Sequence, residues 1–286
     1  MSDATTPANP DNTGSGPALW LDMCRRVVAR QLRIFGSHPD IKSRSAYNGV
    51  GAGGDNSLVI DQSAEDVVFD ELEKLHASGL RMRAIAEERG EVGFGNTDGA
   101  PLVVIDPIDG SMNARRTIPS HAFSLAVASS DSLADVTFGY VYDFGAGDEF
   151  WAAAGEGAWL NDNRINCDST IDRFEVVAIE AANPTRLVPM LGELEGKASR
   201  LRVVGSIAIS LCYVAANRFD AMLTARPCRS VDAAAGQLVV REAGGIIEIP
   251  DRSLLDATLG LDVRYHMTAA VNEHLMPSLR SAQATV

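Results

Sequence analysis

The sequence predicts an α+β chain, with helices and an antiparallel sheet in its first half and alternating strands and helices in its second. Two observations carry this. Three strand candidates (123–128, 136–142 and 149–154) lie close together, separated by Gly, Asp and Ser, as expected of an antiparallel sheet. Beyond residue 175, short apolar runs alternate with helical patterns, the rhythm of an α/β arrangement.

Residues 1–16 are polar, with Pro, Gly, Asn and Thr, and read as a disordered tail. A single domain then covers 17–286, as an α+β half (17–155) and an α/β half (156–286) with no linker between them. From Pro17 an amphipathic helix runs to Gly36, with Trp20, Cys24, Val27 and Ile34 on one face and Arg25, Arg26, Arg30 and Arg33 elsewhere. Residues 49–54 form a mobile-loop candidate. Their G-x-G spacing does not make a dinucleotide fingerprint, since no strand precedes it and no helix opens directly from it. A second helix begins at Asp61, capped by Asp61 or Ser63, with Val67, Val68, Leu72 and Leu75 as its apolar stripe.

A short strand, 82–86, ends at Glu87-Glu88. After a Gly-rich turn, a β-branched strand over 102–106 runs into Asp106-Pro107-Ile108-Asp109-Gly110-Ser111-Met112-Asn113. In the second half, strands are expected at 176–179, 202–204, 220–223, 246–249 and 266–271. Helices are expected at 186–194, 206–216, 232–242 and 273–282, with Gly244-Gly245 closing the third.

A net charge of −13 argues against a nucleic acid backbone as the main partner. No apolar run approaches the roughly 18 residues of a membrane span, and the N-terminus lacks a basic-then-apolar signal. The reading is therefore a cytoplasmic protein with neither nucleic acid nor membrane as partner. Cys24, Cys167, Cys212 and Cys228 are widely spaced, without a C-x-x-C pair, and read as small hydrophobes rather than zinc or disulfide partners.

A strand that ends in Asp106 and Asp109 beside a Gly-Ser turn gathers anionic oxygens and free backbone N–H groups in one small volume. Hard divalent cations take the oxygens, and phosphate takes the N–H groups. Bound cations would also reverse the local sign of an acidic surface for an anionic substrate. Taken singly, Glu87-Glu88 reads as a solvated turn, Asp109 as a turn residue and Asp232 as a helix cap. The five histidines show no metal-ligand spacing, and His121, though close to the motif, reads with the others as structural.

Jointly these segments resemble the inositol monophosphatase family. Asp106–Asn113 is similar to its first signature, D-P-[IL]-D-G-[ST]-x-N, and Val231-Asp232-Ala233-Ala234-Ala235-Gly236 with Glu242-Ala243-Gly244-Gly245 to its second. Ala86-Glu87-Glu88 stands near the place of its G-E-E glutamate, and Arg202-Val203-Val204-Gly205-Ser206 resembles its R-x-x-G-[ST] turn. The resemblance implies a layered αβαβα sandwich, a homodimer, and hydrolysis of a small phosphorylated polyol or sugar, dependent on two to three Mg2+ ions and sensitive to lithium. It implies that Glu87, Asp106 and the Ile108 carbonyl hold one ion, and that Asp106, Asp109 and Asp232 hold a second, with a third, weaker ion near the glutamate. Asp61 and Ser111 would orient the attacking water, with Glu87 among the catalytic groups. Gly110 and Ser111 would receive the phosphate, and Gly205 and Ser206 would line the substrate hydroxyl pocket.

Departures from the pattern bear on the substrate. Val231 replaces the usual Trp, as in the archaeal-type branch that accepts inositol monophosphate and fructose 1,6-bisphosphate. Residues 51–54 followed by Ile60-Asp61 resemble that branch's mobile loop, but Gly53 stands in a loop that commonly carries an Asp there, and Asp55 to Val59 lack its basic residues. Ala225 stands where the family's inositol-contacting glutamate would be, while Arg226 and Arg229 lie close by and Arg115 and Arg116 follow the first signature. These arginines would pair with a second phosphate or form surface salt bridges. Rival readings are a 3′-phosphoadenosine 5′-phosphate or histidinol-phosphate phosphatase, and a non-catalytic binding scaffold. No aromatic residue in 224–230 favours a purine, and the retained acids argue against an idle scaffold.

Overall fold

A computed structural model describes residues 16–50, 52, 56–181 and 183–286. The tail expected at 1–16 lies, but for Gly16, outside the described residues, as do Gly51 and residues 53–55 of the loop candidate. The first half begins with α1 (Pro17–Ser37), the single turn α2 (Ile41–Arg44), the antiparallel pair β1 (Tyr47–Val50) and β2 (Asn56–Leu58), and α3 (Val59–Ala77). Then follow β3 (Met82–Ala86), β4 (Gly90–Phe94), β5 (Leu102–Asp109), the short helix α4 (Ser111–Arg115), β6 (Ala122–Ala128), β7 (Val136–Asp143), β8 (Asp148–Ala153), β9 (Gly157–Leu160) and β10 (Asn163–Ile165). The second half runs β11 (Phe174–Glu180), α5 (Pro184–Leu194), β12 (Ala198–Arg202), α6 (Ile207–Ala215), β13 (Ala221–Thr224), β14 (Cys228–Arg229) and α7 (Ser230–Glu242). It ends with β15 (Ile246–Glu248), β16 (Arg264–Tyr265), β17 (Thr268–Ala270) and α8 (Met276–Gln283).

Strands β10-β9-β8-β7-β6-β5-β3-β4 form an eight-stranded sheet, antiparallel except where β3 lies parallel to β5. A second sheet, β12-β11-β13-β17-β15, pairs β11 in parallel with β12 and β13 and adds β17 and β15 antiparallel. Helices α6 and α7 lie between the sheets, while α1 and α3 pack on the outer face of the first. Helices α5 and α8 pack together, and α8 covers the far face of the second sheet. The expected αβαβα layering is thus present. Its central helix layer is nearly all small or aliphatic: Val231, Ala233, Ala234, Ala235, Leu238, Val239 and Val240 of α7 are buried, as a helix enclosed on all sides requires.

Two glycines set the spacing of that layer. A Cβ on Gly139 of β7 would lie 2.7 Å from the Ala235 carbonyl oxygen, and one on Gly236 would lie 2.8 Å from Leu211 Cβ. Helix α7 therefore rests on the sheet on one side and on α6 on the other with no room for a methyl group.

Several boundaries differ from the sequence expectation. The stretch read as a Gly-rich turn contains β4, paired along its whole length with β3, and β9 and β10 extend the first sheet at its edge. Helix α3 begins two residues before Asp61 and α7 two before Asp232, so neither acid is the cap; both lie in the first turn, buried. The strand expected at 202–204 ends at Arg202, and the closing helix starts at Met276 after one 3-10 turn, Glu273–Leu275. All four cysteines are free thiols, three of them buried. Among the described residues, no helix is long and apolar enough to cross a membrane.

The close approach of α7 to β7 yields a direct expectation. Gly139→Ala should destabilise the protein by about 1–3 kcal/mol, because the added methyl group meets backbone that cannot give way. Thermal unfolding should show a drop of several degrees in Tm; an unchanged Tm would mean that α7 is free to shift.

Candidate active site

The site is built at the end of β5, whose eight residues are all buried. Asp106 pairs with Ser124 and Asp109 with Ala122, so three steps on β5 match two on β6. One extra residue makes a bulge, and Pro107, which has no N–H to give to a ladder, sits within it. In a regular strand residues three apart face opposite sides. The bulge cancels one step and turns Asp106 and Asp109 to the same side. Strand β3 runs parallel to β5 with Ala86 opposite Ile105, which places Glu87 beside Asp106. The fourth acid, Asp232, comes from the first turn of α7, which packs against β5.

These four carboxyl groups are buried and act on one another. Burial, then the charges of Glu87, Asp109 and Asp232, push the Asp106 carboxyl well above the usual carboxylate range. Burial and the charge of Asp232 raise Asp109 to about 8, against hydrogen bonds from Ser206 and Ala208. Burial raises Asp232 to about 6, opposed by the positive charge of Arg229. Asp106 and Asp232 lie within hydrogen-bonding reach of each other, and Asp232 Oδ1 is buried without a hydrogen-bond partner. Mutually repelling hard oxygen donors with an orphaned oxygen suit a divalent cation. Among the described residues, however, no three acid, cysteine or histidine side chains are already drawn into a ligand set. Arg229 lies among them: its Nη1 donates to Glu87 Oε1 at 2.5 Å, and its Nε is 3.6 Å from Asp232 Oδ1.

The other residues singled out in the sequence fall around this centre. The Ile108 N–H donates to Asp106 Oδ1 at 3.0 Å, and the Ser111 hydroxyl donates to the Ile108 carbonyl at 2.9 Å. Gly110 adopts φ +92°, and a Cβ there would stand 3.0 Å from the Gly205 and Ser120 carbonyl oxygens; only glycine fits that crossing. Asp61 is buried, and burial with the charges of Glu88 and Glu87 raises it to about 7. Its Oδ1 also lacks a hydrogen-bond partner. Gly205 is exposed, but Ser206 is buried and donates its hydroxyl to Asp109 Oδ2 at 2.6 Å, not to an open pocket. Arg226 is exposed, whereas Arg229 is held by the acids. Ala225 is buried. His121 is buried against Phe35 and Phe144, and burial lowers it to about 4.

Two residues that support the site were not singled out, and a third, Asn113, was named only as the last residue of the first signature. Glu180, fully buried at the end of β11, accepts the Val204 and Gly205 N–H groups at 3.0 and 2.8 Å and the Ser210 hydroxyl at 2.7 Å. It ends an apolar strand as Asp106 does, and that shared pattern was its signal. Glu65, one helical turn after Asp61, accepts the Glu88 N–H at 2.9 Å, and burial raises it to about 7; the i,i+4 spacing could have found it. Asn113 donates to the Ser120 and Val204 carbonyls at 2.7 and 2.8 Å, joining the first signature to the turn before α6.

Several proteins similar to this chain carry phosphatase names. The sequence profile of the inositol monophosphatase family matches residues 33–284. A fructose-1,6-bisphosphatase/inositol-1-monophosphatase from Archaeoglobus fulgidus is 33% identical over 263 residues, covering 91% of this chain and 96% of its own. The enzyme of the same name from Methanothermobacter thermautotrophicus is 34% identical over 237 residues, covering 79% and 82%. The crystal structure of an inositol monophosphatase–fructose 1,6-bisphosphatase superposes with a TM-score of 0.80 over 92% of this chain and 99% of that one, at 24% identity.

The raised acids give stability a definite pH dependence. Asp61 and Glu65 hold protons up to about 7 in the folded chain, but the unfolded chain releases them near 4. Between these values the native state binds more protons, so stability falls as pH rises. Chelator-treated protein should show a Tm that declines from about pH 5 to about pH 7, with a shallower decline in Asp61→Asn. A Tm that rises over that interval would contradict the assignment.

Proposed function

Because the chain belongs to the inositol monophosphatase family, we propose that it is a magnesium-dependent phosphatase hydrolysing a small sugar or polyol phosphate ester. The observation that carries the reading is the convergence of Glu87, Asp106, Asp109 and Asp232 from β3, the β5 bulge and α7 on one buried volume. Glu87, Asp106 and the Ile108 carbonyl would hold one ion, and Asp106, Asp109 and Asp232 another. Bound there, magnesium would supply Lewis acidity at the phosphoryl group and lower the pKa of a coordinated water.

The chain's own groups divide the remaining work. Asp61, titrating near 7, is poised to take a proton from the attacking water at neutral pH. Ser111 donates a hydrogen bond to the Ile108 carbonyl, which leaves its oxygen lone pairs to orient that water. The backbone N–H groups of Gly110 and Ser111 open α4 and would receive the phosphate. Ser206 acts through Asp109, which it holds in place together with the Ala208 N–H, both at 2.6 Å.

Both archaeal relatives named above combine fructose bisphosphatase and inositol monophosphatase in their names, which supports activity on both kinds of ester. Ala225 in place of a glutamate disfavours strict inositol specificity, and the exposed Arg226 suits the second phosphate of a bisphosphate. The family resemblance supports a cytoplasmic homodimer inhibited by lithium.

Asp232→Asn should cut magnesium-dependent phosphate release by about a hundredfold or more, since a metal contributes several kcal/mol to such a transition state, while the protein stays folded. Phosphate release should be measured from inositol 1-phosphate, fructose 1,6-bisphosphate, 3′-phosphoadenosine 5′-phosphate and histidinol phosphate. Turnover of the first two is expected; preference for the nucleotide would replace the substrate class, and no turnover of any of the four would favour a scaffold.

A further inference from the structure

Arg229 sits in an unusual place for a cation in a site meant to bind cations. Its side chain is 20% exposed, and the guanidinium bridges acids from the two halves of the chain, Glu87 Oε1 at 2.5 Å and Asp232 Oδ1 at 3.6 Å. Its backbone N–H donates to Asp232 Oδ2 at 3.2 Å as well. The residue ends β14, paired with Arg264, and immediately precedes α7, so the backbone is pinned while the side chain reaches across to the end of β3. Four buried carboxyl groups without compensation would be costly to bring together, and a guanidinium remains charged at every accessible pH.

Two of the acids that Arg229 engages are oxygen donors in the reading above, on which this inference rests. A magnesium ion needs ligand oxygens at about 2.0–2.1 Å, and a guanidinium in contact with the same Glu87 oxygen both blocks and repels it. We propose that Arg229 is an internal counter-cation that holds the acidic centre together before metal loading and is displaced from Glu87 when the divalent cation binds. The fold is thus assembled in either state, with one cation replacing another. Displacement leaves the guanidinium at the rim of the site, where it can meet the phosphate of an incoming ester. Before metal loading Arg229 is therefore a positioning residue, acting through Glu87 and Asp232.

The consequences separate this role from a merely structural one. Wild type, Arg229→Gln and Arg229→Lys should be stripped with chelator and titrated with Mn2+ by calorimetry, with Tm recorded before and after saturation. Arg229→Gln should bind Mn2+ more tightly, by about 5- to 150-fold, the usual range of coupling between two competing events. Its Tm should lie below wild type without metal and recover to the wild-type value at saturating Mn2+. Arg229→Lys, which keeps the charge but not the fork, should fall between the two and carries the test if the Gln variant does not fold. Equal or weaker Mn2+ binding in the variants, or a Tm deficit that persists at saturation, would overturn the inference and leave the metal site standing. Absence of Mn2+ binding in the wild type would overturn both.

Discussion

Like charges buried together repel, and the centre of this molecule contains four buried carboxyl groups, of which Asp106, Asp109 and Asp232 are pushed above their normal titration range by burial and neighbouring charge. Asp106 feels the charges of Glu87, Asp109 and Asp232 at once. Such a cluster persists only if protons, hydrogen-bond donors or cations offset the repulsion. Each device is present to a degree. Asp109 and Asp232 hold protons toward neutrality, Asp109 takes two short hydrogen bonds, and Arg229 brings a positive charge to Glu87 and Asp232. The architecture around the cluster can be read as the means of delivering these devices from elements far apart in the chain.

The delivery works through fixed backbone. The bulge at Pro107 turns two aspartates the same way, and Asp109 then holds the start of α6 through Ser206 and Ala208. Glu180 accepts the N–H groups of Val204 and Gly205, and Asn113 donates to the Val204 carbonyl, so both hold the same turn. Gly110 and Gly205, both at positive φ, let the two loops cross at contact distance. The two sheets are thereby tied at the place where the chemistry would occur, so the spacing of Asp109 and Asp232 follows from how α6 and α7 pack between them. A small-residue helix layer is what permits that packing, and a single methyl group at Gly139 or Gly236 would disturb it.

Much of this was legible in the sequence because strong local signals coincide with the long-range result. The β-branched run before Asp106 and the amphipathic stripes of α1 and α3 identify elements whose burial depends on their own residues. The strand β4 was hidden because Gly90 and Gly93 read as turn residues, and only pairing with β3 makes them a strand. β9 and β10 are short and lie at a sheet edge, where few apolar residues are needed. The starts of α3 and α7 were placed late because an acid in a first turn resembles a cap in sequence alone. The clustering of Glu87, Asp106, Asp109 and Asp232 was inferred from ordered motifs; the guanidinium of Arg229 among them was not, because residue spacing carries no information about which way a long side chain turns.

The central claim is that acids from both halves of the chain share divalent cations. Anomalous diffraction from crystals soaked in Mn2+ measures this directly. The account predicts metal peaks at about 2.0–2.6 Å, the span of Mg2+ and Ca2+ ligand distances, from carboxylate oxygens of Asp106 and Asp232, with the Arg229 side chain moved off Glu87. Peaks confined to surface acids, with Arg229 still bridging Glu87 and Asp232 at saturating metal, would contradict it.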